Sequence, residues 1–232
     1  MTKTVIETTK KFSKPKLPKY IPTRIAALDD VLGGGLVKGQ TILLTGPPGY
    51  GKTTLVLTAV VRASLKALFA SGEQSDKDMG DMAKRLKLSS TRVKIVGMAG
   101  DIYKISEVAE KEKVDVLVVD SLQTAFCDDK RGEEGSPSQK KAVVNYLTAW
   151  AKRNKACVIF IGHVRRDGSP AVAATIAHLI DTLIELYKPD TDENDLSLRE
   201  MYVGKNRYGE SDVKAMFRLT TKGIEAVKKK KN

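Results

Sequence analysis

Short apolar runs rich in β-branched residues alternate along this chain with longer stretches in which apolar residues recur at helical spacing. The apolar runs predict strands at residues 41–45, 67–70, 93–96, 114–119 and 157–161. Helical spacing predicts helices at residues 25–32, 52–65, 76–87, 102–112 and 138–153. This alternation is typical of an α/β fold whose mainly parallel central sheet carries helices on both faces.

The last part of the chain has a different pattern. Residues 179–187, 198–203 and 213–219 predict strands that are joined by turns without intervening helices. They favour a C-terminal antiparallel extension of the sheet. We therefore expect one domain over residues 21–227, a length that suits a single α/β unit, with a flexible arm at 1–20 and a tail at 228–232.

The formal net charge of +12 is concentrated in the arm and the tail. Residues 1–20 carry six lysines against one acidic residue, Glu7, and residues 228–231 are four consecutive lysines. The segment between them is nearly balanced. Basic arms of this kind attract any polyanion without sequence preference, and the attraction weakens with salt. The same composition also suits arms that only promote solubility.

Composition disfavours membrane and secreted classes of protein. No apolar run approaches the roughly twenty residues that a membrane-spanning helix needs, and the lysine-rich start lacks the apolar centre of a secretory leader. The two cysteines, Cys127 and Cys157, do not have metal-ligand spacing. These features favour a cytoplasmic protein with reduced thiols and no membrane partner.

A glycine-rich segment follows the strand predicted at 41–45 and opens a predicted helix. It fits the pattern Gly-x-x-x-x-Gly-Lys-Thr and consists of Gly46, Pro47, Pro48, Gly49, Tyr50, Gly51, Lys52, Thr53 and Thr54. Glycines in such a P-loop let backbone N–H groups turn toward nucleotide phosphates, and the helix N-terminus adds a positive end. Lys52 would contact the β- and γ-phosphates, and Thr53 would bind Mg²⁺. The segment predicts binding of ATP with Mg²⁺.

A second ligand for the metal is expected on another strand. Asp120 follows the apolar run 114–119, at the carboxyl end of a predicted strand. Open parallel sheets bind their ligands at that edge. We therefore expect Asp120 to hold the metal together with Thr53.

Two further polar residues follow predicted strands at the same edge. Glu73 comes after 67–70, and a carboxylate beside a γ-phosphate can act as the general base for the attacking water. His163 comes after 157–161, where its imidazole could hydrogen-bond the γ-phosphate. A solvated loop glutamate and a structural histidine are the alternative interpretations of these two positions.

Together these motifs resemble the RecA superfamily and, within it, the ATPase core of bacterial RadA (Sms) proteins. The resemblance covers about residues 20–227 and extends to short RecA-like phage proteins. Its segments occur in the family's order: Leu28-Asp29-x-x-Leu32-Gly33-Gly34-Gly35, Ser71-Gly72-Glu73, Val118-Val119-Asp120-Ser121-Leu122-Gln123-Thr124, Gly162-His163-Val164, Asp167-Gly168 and Lys205-Asn206-Arg207-Tyr208-Gly209. One departure is Arg24, which stands where the family usually has glycine before the first short helix.

The resemblance implies roles for these residues. Glu73 would be the catalytic base and His163 a sensor of the γ-phosphate. Lys205 and Arg207 would reach across a subunit interface to the neighbour's ATP, which implies a homo-oligomer, ring or filament. Residues 123–138 and 164–173 would be DNA-facing loops, and their contacts to single-stranded DNA would come from Phe126, Lys130, Arg131, Arg165 and Arg166.

The function implied is that of an ATP-dependent ATPase of recombination or repair that binds single-stranded DNA. Strand annealing, strand exchange and branch migration stay open, and a single-strand DNA-binding protein is a further expected partner. A KaiC-like regulatory ATPase and a helicase-type motor or helicase partner are the alternatives. RadA proteins usually also carry a four-cysteine zinc module and a protease-like domain, which the resemblance does not include.

Overall fold

The computed structural model describes residues 18–163, 176–189 and 195–227. Its helices are α1 (Ala26–Leu32), α2 (Lys52–Arg62), α3 (Asp76–Arg85), α4 (Ile102–Glu112) and α5 (Pro137–Asn154). Its strands are β1 (Tyr20–Ile21), β2 (Leu36–Val37), β3 (Thr41–Thr45), β4 (Ala67–Ser71), β5 (Val93–Val96), β6 (Val116–Asp120), β7 (Cys157–Ile161), β8 (Thr182–Tyr187), β9 (Leu198–Asn206), β10 (Val213–Thr220) and β11 (Gly223–Ala226). None of the helices in these described ranges is long and apolar enough to span a membrane.

Nine of the strands form one mixed sheet. Their order is β11-β10-β9-β8-β3-β7-β6-β4-β5. The strands from β8 to β5 pair in parallel, whereas β9, β10 and β11 continue the sheet in antiparallel pairing. The predicted α/β fold with a C-terminal antiparallel extension is therefore confirmed.

Apolar side chains cover both faces of the parallel strands. Helices α1, α2 and α3 pack on one face, and α4 and α5 pack on the other, so that two buried clusters sandwich the sheet. In β3, Ile42 and Leu44 join the first cluster and Leu43 joins the second, as the two-residue period of a strand requires. Because both faces of the central strands β3, β4, β6 and β7 are buried, these four strands are almost continuous apolar runs in the sequence.

Side chains that accept hydrogen bonds from free backbone N–H groups mark the starts of three helices. Ser75 forms a capping box with Asp78 at α3. Asp101 caps α4, and Ser136 caps α5 directly ahead of Pro137. Helix α2 ends earlier than the predicted residue 65, because the chain turns through Ser64 in the left-handed region (φ 54°).

Some elements differ from the sequence prediction. The pattern does not predict the two-residue pair β1–β2, in which Tyr20 faces Val37, nor β11. Tyr20, the last residue of the predicted arm, therefore lies in a strand. β8 begins at Thr182 rather than at 179, and β6 is displaced so that it includes Asp120.

Arg24 adopts the left-handed conformation (φ 61°) in the turn before α1. Asp29 stabilises this turn, because its carboxylate accepts hydrogen bonds from the N–H groups of Thr23 (2.7 Å) and Arg24 (3.0 Å). A non-glycine residue in this conformation carries strain of roughly 1–2 kcal/mol. The conformation gives a physical reason for the glycine that the resembled family usually has there.

Candidate nucleotide site

Four neighbouring strands end at one edge of the sheet, which we call the nucleotide edge. β3 leads into the P-loop, β7 into Gly162 and His163, β6 ends at Asp120, and β4 leads into Glu73. These strands lie side by side in the order β3-β7-β6-β4. Residues predicted from separate parts of the chain therefore meet, and they line one cleft of about 560 Å³ together with Lys52.

The P-loop curls around the start of α2, where the ammonium group of Lys52 is buried. Its Nζ donates hydrogen bonds to the backbone carbonyls of Gly46 (2.7 Å) and Pro47 (3.0 Å). Burial lowers the pKa of Lys52, while the carboxylates of Asp120 and Glu73 act to raise it. The lysine is held between neutral and anionic oxygens, an environment that an anionic phosphate would complete.

Thr53 and Asp120 form the pair of oxygen donors that the sequence predicts for Mg²⁺. Thr53 Oγ1 donates to Asp120 Oδ2 at 2.7 Å. Asp120 is only 4% exposed, and burial raises its pKa against the opposing effect of the Thr53 hydrogen bond. A buried carboxylate beside a hydroxyl is a donor set that suits a hard cation, whose charge would offset the burial. The residues present therefore fit the metal.

One oxygen of Glu73 has two polar neighbours. Ser121 Oγ donates to Oε1 at 2.5 Å, and His163 Nε2 lies 3.1 Å from the same atom. Gln123 Nε2 in turn donates to the backbone carbonyl of His163 at 3.2 Å. These contacts orient the carboxylate through Oε1, which leaves Oε2 as the oxygen that can meet a water molecule in the cleft.

Several buried polar atoms of this region lack a partner among the described residues. They are Oε1 of Gln74, Oε1 of Gln123 and Nδ1 of His163. Buried polar groups are normally hydrogen-bonded, so such a cluster at a cleft calls for an explanation by water or ligand. Sequence reasoning did not single out Ser121 or Gln123, because their positions inside a motif give no sign of their contacts.

The far wall of the cleft comes from α3, from the end of β10 and from the turn that follows it. Met82 and Arg85 face Leu219, Thr220 and Thr221 there. Arg85 Nη1 donates to the carbonyl of Thr221 at 3.3 Å, although the two residues lie 136 positions apart. Sequence reasoning missed this wall, because no local pattern joins a helix to a hairpin so far along the chain.

Glycine at position 51 is required by both backbone and packing. Gly51 caps α2 with φ 87°, and a Cβ placed there would lie 2.7 Å from the side chain of Leu219. The antiparallel extension therefore presses directly on the P-loop.

Lys205 and Arg207 do not lie at the nucleotide edge. Asn206, between them, pairs with Thr182 at the start of β8, whereas Glu185 pairs with Thr45 just before the P-loop. Thr182 and Glu185 are three residues apart on β8, a distance of about 10 Å along the strand. Both cations thus lie at the amino-terminal edge of the parallel strands, which we call the opposite edge.

Each of the two cations is bound within its own chain at that edge. Lys205 Nζ donates to the carbonyls of Ala177 and Ile180, both at 2.7 Å. Arg207 Nη1 donates to Asp181 Oδ1 at 3.1 Å. Neither side chain contributes to the cleft of its own subunit.

The predicted DNA-facing cations of the first loop are exposed. Lys130 and Arg131 lie on the surface between β6 and α5, and Lys130 Nζ is 2.7 Å from Asp129. Arg165 and Arg166, predicted for the second loop, lie outside the described residues.

Phe126 occupies a different environment from those cations. Its backbone exchanges hydrogen bonds with Gly100 (2.9 Å) and Ile102 (3.1 Å). Its ring lines an apolar groove together with the exposed side chains of Met98 and Val108. The structure thus places the predicted stacking residue among mainly apolar neighbours, with Asp101 and Lys104 also lining the groove.

Gln139 holds the first loop in place from α5. Its side chain is buried, and its Oε1 accepts a hydrogen bond from the N–H of Cys127 at 2.9 Å. Its Nε2 is close to three loop carbonyls, those of Lys130 (2.8 Å), Cys127 (3.2 Å) and Gly132 (3.3 Å). One amide therefore organises the segment that carries the exposed cations.

The family model of the AAA domain matches residues 11–169, a stretch that contains the P-loop, Glu73, Asp120 and His163. The chain belongs to this AAA domain family. The match covers more than half of the chain and includes both predicted metal ligands, Thr53 and Asp120.

Curated relatives of this AAA domain include DNA repair proteins named RadA. The RadA of Aquifex aeolicus (strain VF5) is 36% identical over 207 residues, which are 88% of this chain and 46% of that protein. The RadA of Escherichia coli (strain K12) is 33% identical over 217 residues, or 93% of this chain and 46% of that protein. The resemblance to the RadA core is confirmed, and the chain spans about half the length of these relatives.

Solved structures show the same fold. A RadB recombinase superposes with a TM-score of 0.65 at 24% identity, covering 90% of this chain and all of that one. A KaiC-like protein from Pyrococcus horikoshii OT3 superposes with a TM-score of 0.74 at 20% identity, covering 91% of this chain and all of that one. The AAA domain thus has the RecA-like architecture, including the antiparallel extension.

Proposed function

We propose that this protein is an ATPase of recombination or repair of the RecA/RadA type, which binds single-stranded DNA and works as a homo-oligomer. The observation that carries the proposal is the division of one predicted catalytic set between two edges. Lys52, Asp120 and Glu73 meet in one cleft, while Lys205 and Arg207 lie on the opposite edge. The RadA relatives are DNA repair proteins and the similar RadB structure is that of a recombinase, which supports the biological setting.

Hydrolysis in the cleft would use Glu73 as the general base. Ser121 and His163 hold its Oε1, so the remaining oxygen can take a proton from a water that attacks the γ-phosphate. His163 contacts Glu73 and would lie beside the γ-phosphate. Release of that phosphate would change the environment of the imidazole, as a sensor of the γ-phosphate requires. Lys52 would balance negative charge on the β- and γ-phosphates.

Thr53 and Asp120 would hold the Mg²⁺ that accompanies ATP. When bound, this ion neutralises charge on the phosphate oxygens. The chain's own contribution is to keep the hydroxyl and the carboxylate 2.7 Å apart before the nucleotide arrives.

The cations of the opposite edge would act on a neighbouring subunit. They cannot serve their own cleft, because the sheet separates the two edges by about 10 Å or more. Contact between the opposite edge of one subunit and the nucleotide edge of the next would complete the charge stabilisation around the phosphates. The apolar groove with exposed Met98 (73%) and Val108 (42%) supports assembly, since such patches commonly mark interaction sites.

DNA would contact the loop that follows β6. Lys130 and Arg131 are exposed there, and the basic arm and tail add charge that attracts phosphates. Arg165 and Arg166 are expected to add contacts from the second loop. A protein of this kind would work in the cytoplasm.

The discriminating experiment measures ATP hydrolysis with and without single-stranded DNA over a series of salt concentrations. We expect stimulation that declines as salt rises, because phosphate contacts release counterions. A Lys52→Ala variant controls for contaminating ATPases. If single-stranded DNA neither stimulates hydrolysis nor binds in a salt-dependent way, the proposed action on DNA is wrong. That outcome favours a regulatory ATPase, a class with which the KaiC-like fold is equally compatible.

The interface is tested by mixing Lys205→Ala with Glu73→Gln protein. Each variant alone should be nearly inactive, but mixed oligomers contain interfaces in which an intact Glu73 meets an intact Lys205. Recovery of hydrolysis on mixing supports action between subunits. If no ratio restores activity while both variants still bind ATP, the interface assignment is wrong.

A further inference from the structure

A buried carboxylate, Asp181, anchors the segment Lys205-Asn206-Arg207-Tyr208-Gly209 to the domain. Asp181 lies just before β8 and is 1% exposed. Its Oδ2 accepts hydrogen bonds from Thr41 N (2.9 Å), Thr41 Oγ1 (3.1 Å) and Lys152 Nζ (2.9 Å). Its Oδ1 accepts from Arg207 Nη1 (3.1 Å), and its backbone carbonyl accepts from the N–H of Arg207 (3.0 Å).

The two partners of the Asp181–Arg207 pair differ in exposure. The carboxylate is buried, whereas 54% of the Arg207 side chain is exposed. A guanidinium has five N–H donors in a rigid plane, and the contact with Asp181 engages Nη1. Asp181 therefore fixes one corner of the guanidinium and leaves most of the group at the surface of the opposite edge.

The cluster around Asp181 has an excess of positive charge. Lys152 and Arg207 both contact this one carboxylate. Burial lowers the pKa of nearby Lys205, the charge of Arg207 lowers it further, and the charge of Asp181 acts to raise it. Burial acts to raise the pKa of Asp181, but hydrogen bonds from Lys152 and Thr41 outweigh it, and the pKa lies below its usual value. The carboxylate is thus charged at neutral pH, and the cluster as a whole still attracts an anion.

Neighbouring contacts fix the rest of the segment. Asn206 Oδ1 accepts hydrogen bonds from Thr182 Oγ1 (3.0 Å) and from the N–H of Tyr208 (3.1 Å). Lys152 Nζ also lies 3.0 Å from the hydroxyl of Tyr208. The backbone beneath Arg207 is therefore ordered independently of any neighbouring subunit.

We propose that Asp181 is a positioning residue that presets Arg207 for the phosphates of a neighbouring subunit's nucleotide. This inference rests on the proposed action of the opposite edge between subunits. Asp181 does not touch the nucleotide. It restricts the rotamers of a long side chain in advance, so that less conformational entropy is lost when the guanidinium meets the phosphates.

The test begins with Asp181→Asn, which keeps the shape and removes the charge. Turnover should fall about 10- to 100-fold, by analogy with the loss seen when a residue that orients a metal-binding side chain is removed. The affinity of the variant's own P-loop for a fluorescent ATP analogue should not change. Glu200→Gln is the matched control, because it neutralises a partly buried carboxylate that pairs with Lys214 (2.8 Å) on the same antiparallel extension. Wild-type turnover in Asp181→Asn would overturn the proposal.

Mixing separates positioning from a general structural role. In an equal mixture of Asp181→Asn and Glu73→Gln, about a quarter of the interfaces pair an intact Glu73 with an intact opposite edge. Activity should therefore recover on mixing. If Lys205→Ala recovers with Glu73→Gln but Asp181→Asn does not, the positioning role is wrong while the interface stands. If neither pair recovers, both assignments are wrong.

A double-mutant cycle with Arg207→Ala supplies the second readout. Since Asp181 acts through Arg207, adding Asp181→Asn to Arg207→Ala should lower turnover no further. A full additional loss would overturn the proposal. Should Asp181→Asn fail to fold, Thr41→Val removes only the hydroxyl contacts at constant volume and should give the same pattern with a smaller loss.

Discussion

Replacing Gln139 by alanine tests how the loop between β6 and α5 is held. The side chain is 3% exposed and makes two short contacts, to Cys127 N (2.9 Å) and to the carbonyl of Lys130 (2.8 Å). Two longer ones join it to the carbonyls of Cys127 and Gly132. Alanine removes all four contacts without altering any charge.

The expected loss of stability follows from which groups water can reach. Lys130 and Gly132 are exposed, so water replaces the amide at their carbonyls with little change in free energy. Cys127 is 1% exposed. Its carbonyl keeps the hydrogen bond from the N–H of Lys130 (3.1 Å), but its own N–H loses its partner, which costs roughly 1–3 kcal/mol. The lost methylene adds about 0.8 kcal/mol, while the freed side-chain entropy returns roughly 1.5 kcal/mol. The free energy of unfolding should therefore fall by about 1 kcal/mol.

The assay is denaturant unfolding followed by the fluorescence of Trp150, the single tryptophan of the chain, which is fully buried. The midpoint should shift while the slope with denaturant stays constant. Lys141→Ala, on the exposed side of the same helix, should change stability by less than about 0.5 kcal/mol. A Gln139→Ala loss no larger than that of the control would show that the loop does not depend on this amide.

Three further outcomes are expected. Asp120→Asn should abolish Mg²⁺-dependent hydrolysis yet stabilise the ligand-free protein by about 1 kcal/mol at neutral pH. Because burial raises the pKa of Asp120, the stability of the wild type falls as pH rises through that pKa. The difference in melting temperature between variant and wild type should therefore narrow in acid. Gly80→Ala should stabilise the folded protein by up to about 1 kcal/mol, because the added methyl group lies in open space within α3. Gly35→Ala should lower the melting temperature strongly, because Gly35 has φ 131° and a Cβ there would lie 2.2 Å from the carbonyl of Ile21. Lys130→Ala should lower the slope of log binding constant against log salt concentration for single-stranded DNA by about one phosphate contact. Gln139→Ala should weaken binding without changing this slope. Equal slopes in wild type and Lys130→Ala would show that the DNA does not contact Lys130.

The sequence alone predicts the parallel half of the sheet and the functional residues at the carboxyl ends of its strands. β3, β5 and β7 begin and end where the apolar runs do. Both faces of β3 and β7 are buried, whereas β5 is the edge strand and alternates between half-buried and exposed residues. Glu73 and Asp120 could be placed in one site from chain position alone, since parallel strands bring their carboxyl ends to the same edge.

Contacts between distant side chains could not be predicted. Asp181 binds Lys152 and Arg207, residues of a helix and a hairpin on either side of it in sequence. Nothing in local composition distinguishes Asp181 from a surface aspartate, because the pairing depends on strand order. The two-residue strands β1 and β2 could not be predicted either, because they are too short to show an alternation of apolar and polar residues.

If Lys205 and Arg207 act on the nucleotide of a neighbouring subunit, as proposed, their placement on the edge of the sheet opposite the P-loop constrains the symmetry of the active assembly. A two-fold dimer in which the same patch meets itself cannot join unlike edges, so the productive contact must be heterologous. An open row of subunits then always leaves one unmatched cleft at its end, whereas a closed ring leaves none. An open pair would turn over ATP at about half the ring's rate per subunit. Specific activity should therefore rise with protein concentration and level off only when the ends are few or absent.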